Sequence, residues 1–399
     1  MLLLTGVRPW ARSPDDPPVD VLCRDGRITA IADGLDGSES AAAAEVVDGA
    51  GGVALPGFVD AHGHLDSTRL GLPFRPHTAE PSLRGLIMND RAHWRDAGAS
   101  VAARATHTLG RAIALGATLV RSHAQVDTGC GLERLHGVMA ARDAHRGRAH
   151  VQIVAFPQCG ILGDAGTIDL LEAALDDGAD LIGGLDPAGY DRDPVSHLDV
   201  VFDLAERHRA DIDIHLHDAG ELGAMEIELI CDRTDALGMQ GHVTISHAFA
   251  VSTVDAARQS TLIERLARAD VALATVAPGG RTQLPLVALR DVGVRVGLGQ
   301  DGTRDYWSPY GNGDLVERAF LLAYQSAFRR DDLIELCARV ATEGGANVCR
   351  RTDHRLEVGG RADIVVLRGD TTVAAIMDRL PQRLVIAAGR LVARDGELV

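Results

Sequence analysis

The feature that most constrains this chain is a repeated alternation of short apolar runs with longer stretches of helical periodicity. Eight runs end in Gly, Pro or a polar cluster: Val53–Asp60, Thr118–His123, Val151–Phe156, Asp180–Leu185, Ile212–Leu216, Val243–Ser246, Val271–Val276 and Val294–Leu298. Between them, apolar residues recur at three- and four-residue steps in Leu170–Asp177, Leu198–Arg209, Ser252–Ala269 and Leu315–Phe328. Strands that alternate with helices predict parallel strands with crossover helices. Eight such units over about 250 residues predict an α/β fold, a (β/α)8 TIM barrel, and disfavour an open doubly wound sheet.

The two ends of the chain differ in texture from its middle. Short β-like segments separated by turns occupy Leu2–Val7, Asp20–Arg24, Arg27–Ala32, Asp363–Leu367, Arg383–Ala388 and Arg390–Ala393. We therefore predict a small β-sandwich domain formed by both ends, residues 1–54 and 351–399, beside a catalytic barrel of residues 55–350. The alternative is that each end is an independent decoration of the barrel.

The charge balance narrows the class of partner. The 399 residues include 56 Asp plus Glu against 40 Lys plus Arg, a net charge of −16, which disfavours binding to a nucleic-acid backbone. No apolar stretch approaches the roughly 18 residues of a membrane helix, and the leading Met-Leu-Leu-Leu is too short for a signal peptide. We expect a cytoplasmic protein that binds a small molecule, with no nucleic-acid or membrane partner. The sequence leaves a homo-oligomer open.

Every basic residue is an arginine, because the chain contains no lysine. This excludes a Schiff-base lysine, a lysine-containing phosphate loop and a carbamylated lysine that bridges two metals. The six cysteines are scattered and contain no C-x-x-C pair. They therefore predict reduced, buried thiols rather than a structural zinc site.

Polar residues that could build an active site follow nearly every predicted strand. In a barrel, the active site forms at the C-terminal ends of the strands. Those ends carry His62, His64, Asp66, His123, Gln158, Asp186, His215, His217, Asp218, His247 and Asp301. From His123 to His247 they recur at steps of about 30 residues, the length of one β/α unit, so we expect them to converge on one mouth.

Paired histidines make a metal site the strongest chemical prediction. Residues i and i+2 of a strand point to the same face, so His62 and His64 can bind one ion together. Further strands end in His215, His217, His247 and Asp301. Three histidines and a carboxylate with room for water match a catalytic site for one divalent metal ion, zinc or iron(II).

These segments resemble the amidohydrolase superfamily, and within it the cytosine-deaminase-like branch. The similar stretches are Leu55–Asp66, Val154–Gln158, Gly183–Pro187, Asp213–Asp218, Ser246–His247 and Asp301–Asp314, and the resemblance covers nearly the whole chain. It implies one metal held by His62, His64, His215 and Asp301, without a bridging lysine. It also implies that His247 hydrogen-bonds the attacking water, that Gln158 and Asp186 orient the substrate, and that Trp307 covers a flat ring.

Two positions distinguish this chain within the branch. Cytosine deaminase has a glutamate three residues after the ligand of strand five, where this chain has Asp218, whereas members of the branch that degrade triazines have a histidine that matches His217. The resemblance therefore implies His217 as the acid and base, with Asp218 as the alternative proton shuttle. Ser67 stands where the triazine-degrading members have a lysine. If that position contacts substrate, the substrate of this chain differs from theirs.

Together these features predict a hydrolytic deaminase. It would release ammonia or a small amine from an amino-substituted N-heterocycle, such as a cytosine-type pyrimidine or an s-triazine. Asp301 would accept a proton from water, and His217, assisted by His247, would protonate the leaving nitrogen, since an amide anion cannot leave unprotonated. The alternatives are a hydrolase that opens a cyclic amide or ureide and a non-catalytic ligand-binding barrel. The missing bridging lysine counts against the first, and the complete ligand set counts against the second.

Overall fold

A computed structural model describes residues 1–10, 15–38, 41–42 and 44–399 of the chain. Residues 11–14, 39–40 and 43 belong to the predicted N-terminal segment 1–54 and lie outside the described residues. Within the described part, the strands form two separate sheets with helices between successive strands of the larger one.

The larger sheet is a curled layer of nine parallel strands, which confirms an α/β fold. Its strands in chain order are β6 (Phe58–His64), β7 (Ala117–Gln125), β8 (His150–Phe156), β9 (Leu181–Leu185), β10 (Asp211–Leu216), β11 (Val243–His247), β12 (Ala272–Thr275), β13 (Val296–Leu298) and β14 (Asp301–Gly302). The spatial order is β13-β12-β11-β10-β9-β8-β7-β6-β14. From β6 to β13, neighbours in sequence are neighbours in space, whereas β14 pairs with β6, and because all pairs are parallel the carboxyl ends of the strands lie along one edge.

Helices follow most of these strands and shield them from water. They are α1 (Leu83–His93), α2 (Val101–Ala114), α3 (Glu133–Ala144), α4 (Thr167–Asp176), α5 (Pro194–His208), α6 (Gly220–Leu237), α7 (Ala250–Thr253), α8 (Ala256–Arg268), α9 (Leu286–Asp291), α10 (Leu315–Gln325), α11 (Asp331–Arg339), α12 (Gly345–Val348) and α13 (Thr372–Asp378). The principal core joins the strands to these helices. Strands covered on both faces are apolar throughout, which explains the continuous runs in the sequence. Among the described helices, none is long and apolar enough to cross a membrane.

The smaller sheet joins the two ends of the chain, as predicted. It contains β1 (Leu2–Pro9), β2 (Val19–Arg24), β3 (Arg27–Ala32), β4 (Glu45–Asp48), β5 (Val53–Pro56), β15 (Ile364–Leu367), β16 (Arg383–Ala387), β17 (Arg390–Arg394) and β18 (Glu397–Leu398). The order is β18-β17-β16-β15-β5-β1-β2-β3, and β4 pairs with β1. The junction is the antiparallel pairing of β5 with β15, in which Leu55 faces Val365. The sheet mixes parallel and antiparallel pairs.

Two predicted elements are each divided in the structure. The run Val53–Asp60 is two strands in different sheets, because β5 pairs with β15 while β6 pairs with β7. The chain crosses between the sheets at Gly57, where an added Cβ atom would lie 2.2 Å from Thr118 Oγ1. The segment Ser252–Ala269 is two helices, because Val254 is extended and the Asp255 side chain caps α8 by accepting from the Arg258 amide.

Three polar residues at or next to a strand end have a left-handed backbone. The φ angles are 35° at Asp186, 68° at His247 and 61° at Asp301. Such angles in non-glycine residues cost on the order of 1–3 kcal/mol each and are concentrated at functional sites. Asp186 follows β9, His247 ends β11 and Asp301 begins β14, so all three strained positions belong to strands of the larger sheet.

Candidate active site

The four predicted metal ligands lie around one point at the carboxyl edge of the larger sheet. His62 and His64 come from β6, His215 from β10 and Asp301 from β14. The Nε2 atoms of His64 and His215 are 3.2 Å apart. Asp301 Oδ1 is 3.5 Å from His64 Nε2 and 3.7 Å from His62 Nε2. Two ligand atoms bound at about 2.0–2.1 Å to one tetrahedral ion are about 3.3 Å apart, so these separations fit a single metal ion.

Hydrogen bonds fix the orientation of the His62 ring. The Ser246 hydroxyl donates to Asp213 Oδ1 at 2.6 Å, because an ionised carboxylate can only accept. Ser246 Oγ therefore accepts from His62 Nδ1, 2.8 Å away, and the lone pair of the ring lies on Nε2. That atom is buried and has no hydrogen-bond partner in the described part of the chain. An oriented imidazole with an unpaired Nε2 is what a metal ligand requires.

A buried arginine holds this relay in place. Arg121 on β7 pairs with Asp213 Oδ2 at 2.9 Å and also donates to Thr244 Oγ1 and the Val348 carbonyl, both at 3.0 Å. Arg121 and Asp213 are not among the predicted site residues. The sequence contains their signal, however, because each is a charged residue inside an apolar run, and a buried charge requires a partner.

The imidazoles of His64, His215 and His247 are neutral near pH 7. Burial lowers the pKa of His64 to about 4, and burial followed by the neighbouring histidines lowers the pKa values of His215 and His247 well below the ordinary range. A neutral imidazole keeps a lone pair on one nitrogen and can bind a cation. The neutral state of these imidazoles thus agrees with the ligand distances that fit a single metal ion.

His217, the predicted acid, is held by Asp186. Asp186 Oδ2 is 2.8 Å from His217 Nδ1, and Asp186 Oδ1 accepts from the backbone amides of His217 at 2.5 Å and Asp218 at 3.3 Å. Burial alone would lower the pKa of His217, but the Asp186 carboxylate raises it above the usual value. Since Nδ1 faces Asp186, Nε2 is the nitrogen left to the cavity, which His217 helps to line.

Asp186 itself is fully buried and both of its oxygens are engaged, so it lies behind His217 rather than on the cavity surface. Its expected role in orienting the substrate is not tested by this geometry and stays a prediction. The contacts that the structure does assign to Asp186 all fix the position of His217 and of the turn that follows it.

Asp218, the alternative proton shuttle, is directed away from the cavity lining. Its Oδ2 accepts from the Gly189 amide at 2.7 Å, and its carboxyl group contacts that of Glu226 on α6. Glu226 is fully buried and its Oε1 accepts from the Ala188 amide at 2.7 Å. Burial, and after it the charge of Asp218, raises the pKa of Glu226 to about 8 despite that amide hydrogen bond.

His247 lies between the predicted ligands and the predicted acid. Its ring stacks on that of His217, with centroids 4.4 Å apart and planes inclined by 30°. One of its nitrogens lies within 4.8 Å of ligand atoms of His62 and His215. Both nitrogens of His247 lack a hydrogen-bond partner among the residues that the structure describes. The structure thus brings His217 and His247 together at the edge of the ligand cluster.

A cavity of about 730 Å³ opens over these groups. Its walls combine apolar and aromatic side chains with a few polar ones, as is usual for a small-molecule site. The lining includes the predicted substrate contacts Gln158 and Trp307 together with Ser67, Phe156 and Asp305. Gln158 Nε2 donates to Asp90 Oδ2 at 3.3 Å, which fixes its orientation. Asp90 and Asp305 were not expected from the sequence, because neither ends a strand.

The sequence of this chain matches a known protein family and a characterised relative. The amidohydrolase family profile matches residues 45–399. The curated N-isopropylammelide isopropyl amidohydrolase of Pseudomonas sp. (strain ADP) is 30% identical over 364 residues, which cover 88% of this chain and 89% of that protein.

Solved structures show the same similarity. The crystal structure of N-isopropylammelide isopropylaminohydrolase from Burkholderia multivorans matches with a TM-score of 0.93 and 40% identity, covering 100% of this chain and 99% of the other. The 5-methylcytosine deaminase of Klebsiella pneumoniae, liganded with 5-fluorocytosine, matches with a TM-score of 0.83 at 24% identity over 98% of this chain and 97% of the other. At that identity the second match shows the fold alone.

Proposed function

The chain belongs to the amidohydrolase family, whose members are hydrolases of carbon–nitrogen bonds, and from this membership we propose that it is a metal-dependent aminohydrolase of N-heterocycles. It would release ammonia or a small amine from an amino-substituted ring of the pyrimidine or s-triazine type. The relatives named for N-isopropylammelide support a triazine-like ring as a substrate class.

The observation that carries the proposal is the convergence of His62, His64, His215 and Asp301 beside an acid group on one cavity. These four side chains would hold one divalent ion, zinc or iron(II). A divalent ion bound there would lower the pKa of a water molecule from 15.7 toward about 7 and so provide a nucleophile at neutral pH. Asp301 would accept a proton from that water.

His217 would deliver the proton that the leaving nitrogen needs. The Asp186 carboxylate fixes Nδ1 as the other proton-bearing atom and raises the pKa of the His217 ring, which favours the charged form in which Nε2 can donate toward the cavity. Asp186 acts through His217 in this proposal, as a positioning residue. His247, stacked on His217 and unpaired, would hydrogen-bond the attacking water.

Gln158 and Trp307 would orient the ring. The side chain of Gln158 is anchored by Asp90, and an amide can donate and accept at once, which suits the edge of a ring that carries both nitrogen and oxygen. Trp307 packs near Phe156 and Leu185 and presents a flat apolar face.

We further propose that the nine-stranded sheet closes as a (β/α)8 barrel. Only Gly299 and Gln300 separate β13 from β14, and these two strands lie at opposite ends of the strand order. The Gln300 amide donates to Asp60 Oδ1 on β6 at 3.0 Å, which supports closure. Residues 55–350 would be this barrel, and residues 1–54 and 351–399 the β-sandwich domain.

The test combines metal analysis with product analysis. We expect the purified protein to contain divalent metal and to release ammonia from at least one member of a panel of aminopyrimidines and aminotriazines. The variant His64→Ala should retain the fold but lose both metal and activity. Ring opening of cyclic ureides without ammonia would replace the proposal with the ring-opening alternative, and a protein with neither metal nor turnover would contradict it.

A further inference from the structure

One carboxyl group in the cavity wall has no role in the proposed reaction. Asp305 is only 3% exposed, yet it lines the cavity together with Ser67 and Trp307. Its carboxylate packs against the backbone of Gly302, where an added Cβ atom would lie 2.0 Å from Asp305 Oδ2. A side chain at residue 302 would therefore displace this oxygen.

The two oxygens of Asp305 have different surroundings. Oδ1 accepts from the backbone amides of Trp307 at 2.8 Å and Ser308 at 2.9 Å, and so holds the turn that carries Trp307. Oδ2 accepts from Ser67 Oγ at 3.2 Å and has no other hydrogen-bond donor in the described ranges. A carboxylate oxygen can accept two hydrogen bonds, so Oδ2 has capacity left.

No cation of the described chain neutralises this group. No Arg or His nitrogen of residues 1–10, 15–38, 41–42 and 44–399 lies within 4.0 Å of an Asp305 carboxylate oxygen; the ion pairs of the site involve other acids. Burial, and beyond it the charges of Asp301 and Asp90, raises the pKa of Asp305 to about 7 despite the two amide hydrogen bonds. A buried acid without a counter-charge is costly, and such groups are concentrated at binding sites.

Ser67 presents the same polarity as Asp305. A hydroxyl has one hydrogen, and two protein acceptors lie within reach of Ser67 Oγ, Asp305 Oδ2 at 3.2 Å and the His64 carbonyl at 3.4 Å, so that only lone pairs of Oγ remain for a ligand. When Asp305 is ionised, the two side chains thus form a patch that accepts hydrogen bonds and offers none. A ring oxygen of a substrate would face two acceptors there, whereas an N–H group could donate to Ser67 Oγ and Asp305 Oδ2.

We propose that Asp305 and Ser67 form a specificity subsite for a second nitrogen donor of the substrate. The inference rests on the proposed function and narrows its substrate class to rings that carry an N–H donor besides the group that is removed, such as diaminotriazines and diaminopyrimidines. The donor is an exocyclic amino group or a protonated ring nitrogen, and the subsite recognises the N–H group in both.

The decisive variant is Asp305→Asn. The amide oxygen of asparagine can still accept from Trp307 and Ser308, so the turn is preserved, while the amide nitrogen converts the position of Oδ2 from an acceptor into a donor. The probes are two triazines that differ at one ring position, a diamino-oxo-triazine and the corresponding amino-dioxo-triazine. We expect the metal-loaded wild type to favour the diamino ring at least tenfold in kcat/KM, and D305N to favour the dioxo ring.

The matched control is Asp20→Asn in the smaller sheet. The Asp20 carboxylate also accepts from two backbone amides, those of Gly6 at 3.0 Å and Leu35 at 2.9 Å, but it lies far from the cavity lining. D20N should leave the substrate ratio unchanged. Parallel losses on both triazines in D305N, or the same change of ratio in D20N, would overturn the inference.

A binding measurement separates this inference from the proposed function. The melting temperature of metal-loaded wild type should rise more with the diamino ring than with the dioxo ring, and D305N should reverse that order. If neither ring releases ammonia, the proposed function fails for these rings, and the thermal shifts still decide the subsite. Equal shifts with both rings in the wild type would contradict it.

Discussion

At the residue scale, the site depends on carboxylates that fix the orientation of imidazole rings through hydrogen bonds at Nδ1. Asp213, through Ser246, directs His62 Nε2 toward the other ligands, and Asp186 directs His217 Nε2 toward the cavity. Asp186 contacts one ring nitrogen directly and Asp213 does so through the Ser246 hydroxyl, and in each case the other ring nitrogen is left for chemistry. The site therefore requires the residues that orient these imidazoles as well as the imidazoles themselves.

Asp186 and His217 should behave as one unit in catalysis. We expect D186N and H217N each to lower kcat for ammonia release by about 10²–10⁴, the usual contribution of a general acid. The double variant should lose little more than either single variant, because removing one member already disables the other. Kinetics and metal content of the three variants check this. If D186N mainly raised KM, Asp186 would contact substrate instead.

Glu226 should make stability depend on pH. The folded protein retains a proton on Glu226 up to about pH 8, whereas an unperturbed glutamate releases it near 4.5. The folded state therefore binds more protons between these values, and the free energy of unfolding falls as pH rises through this window.

The variant E226Q mimics the protonated form and removes this dependence. At pH 9 we expect E226Q to exceed the wild type in free energy of unfolding by at least about 1 kcal/mol, roughly the value of one pKa unit. At pH 4 the difference should vanish. Urea unfolding of both proteins at the two pH values measures it, and a difference that does not change with pH would refute the assignment.

Part of this residue-level arrangement can be predicted from the sequence. The spacing of His62 and His64 on a strand, and the recurrence of polar residues at strand ends, indicate which side chains could gather. The partners of Asp186 could not be predicted, because its backbone turns into the left-handed region after β9 and directs its carboxylate at the amides that follow β10. Asp305 follows β14 by a few residues, and its position could not be predicted either. It contacts Ser67, which is far away in the sequence, and it packs against Gly302, which is possible only because glycine has no Cβ atom.

At the scale of elements, Arg121 ties four strands together beneath the site. Its guanidinium reaches Asp213 on β10, Thr244 on β11 and Gln152 on β8 from its own position on β7. Because strands β7 to β11 are consecutive in the sheet, one side chain fixes their relative height. The ends that carry His123, His215 and His247 depend on that alignment.

Loss of Arg121 should therefore destabilise the protein strongly. R121M leaves the Asp213 carboxylate buried without a counter-charge, and breaking a buried pair in this way typically costs about 3–5 kcal/mol. The control is R146M, which removes an exposed pair with Asp143 and should leave the free energy of unfolding nearly unchanged. Chemical denaturation measures both. Similar values for the two variants would show that the buried pair does not support the sheet.

Element boundaries are less predictable than element order. The run Val53–Asp60 is continuous in the sequence because both of its strands are buried, and only tertiary pairing divides it at Gly57. In Ser252–Ala269, helical periodicity continues through the break, although Asp255 is a typical N-cap residue and offers a local signal.

At the scale of the whole molecule, the alternation of strands and helices predicts the parallel sheet, and the β-rich ends predict the second sheet. The strand order also follows, because consecutive strands of a parallel sheet with short crossovers are usually neighbours. The pairing of β14 with β6 is the least predictable feature, since it joins strands that are far apart in the sequence. The missing lysine, a property of the entire chain, agrees with a site made from histidines and one aspartate.

The most direct test of the central claim, a single metal ion at His62, His64, His215 and Asp301 that supports amine release, is a metal titration of activity. Metal-free protein is titrated with zinc or iron(II) while ammonia release from an aminotriazine or aminopyrimidine is measured. We expect activity to rise in proportion to bound metal and to saturate at one ion per chain, and D301N to show no such rise. Saturation at two ions per chain, or activity that is independent of added metal, would contradict it.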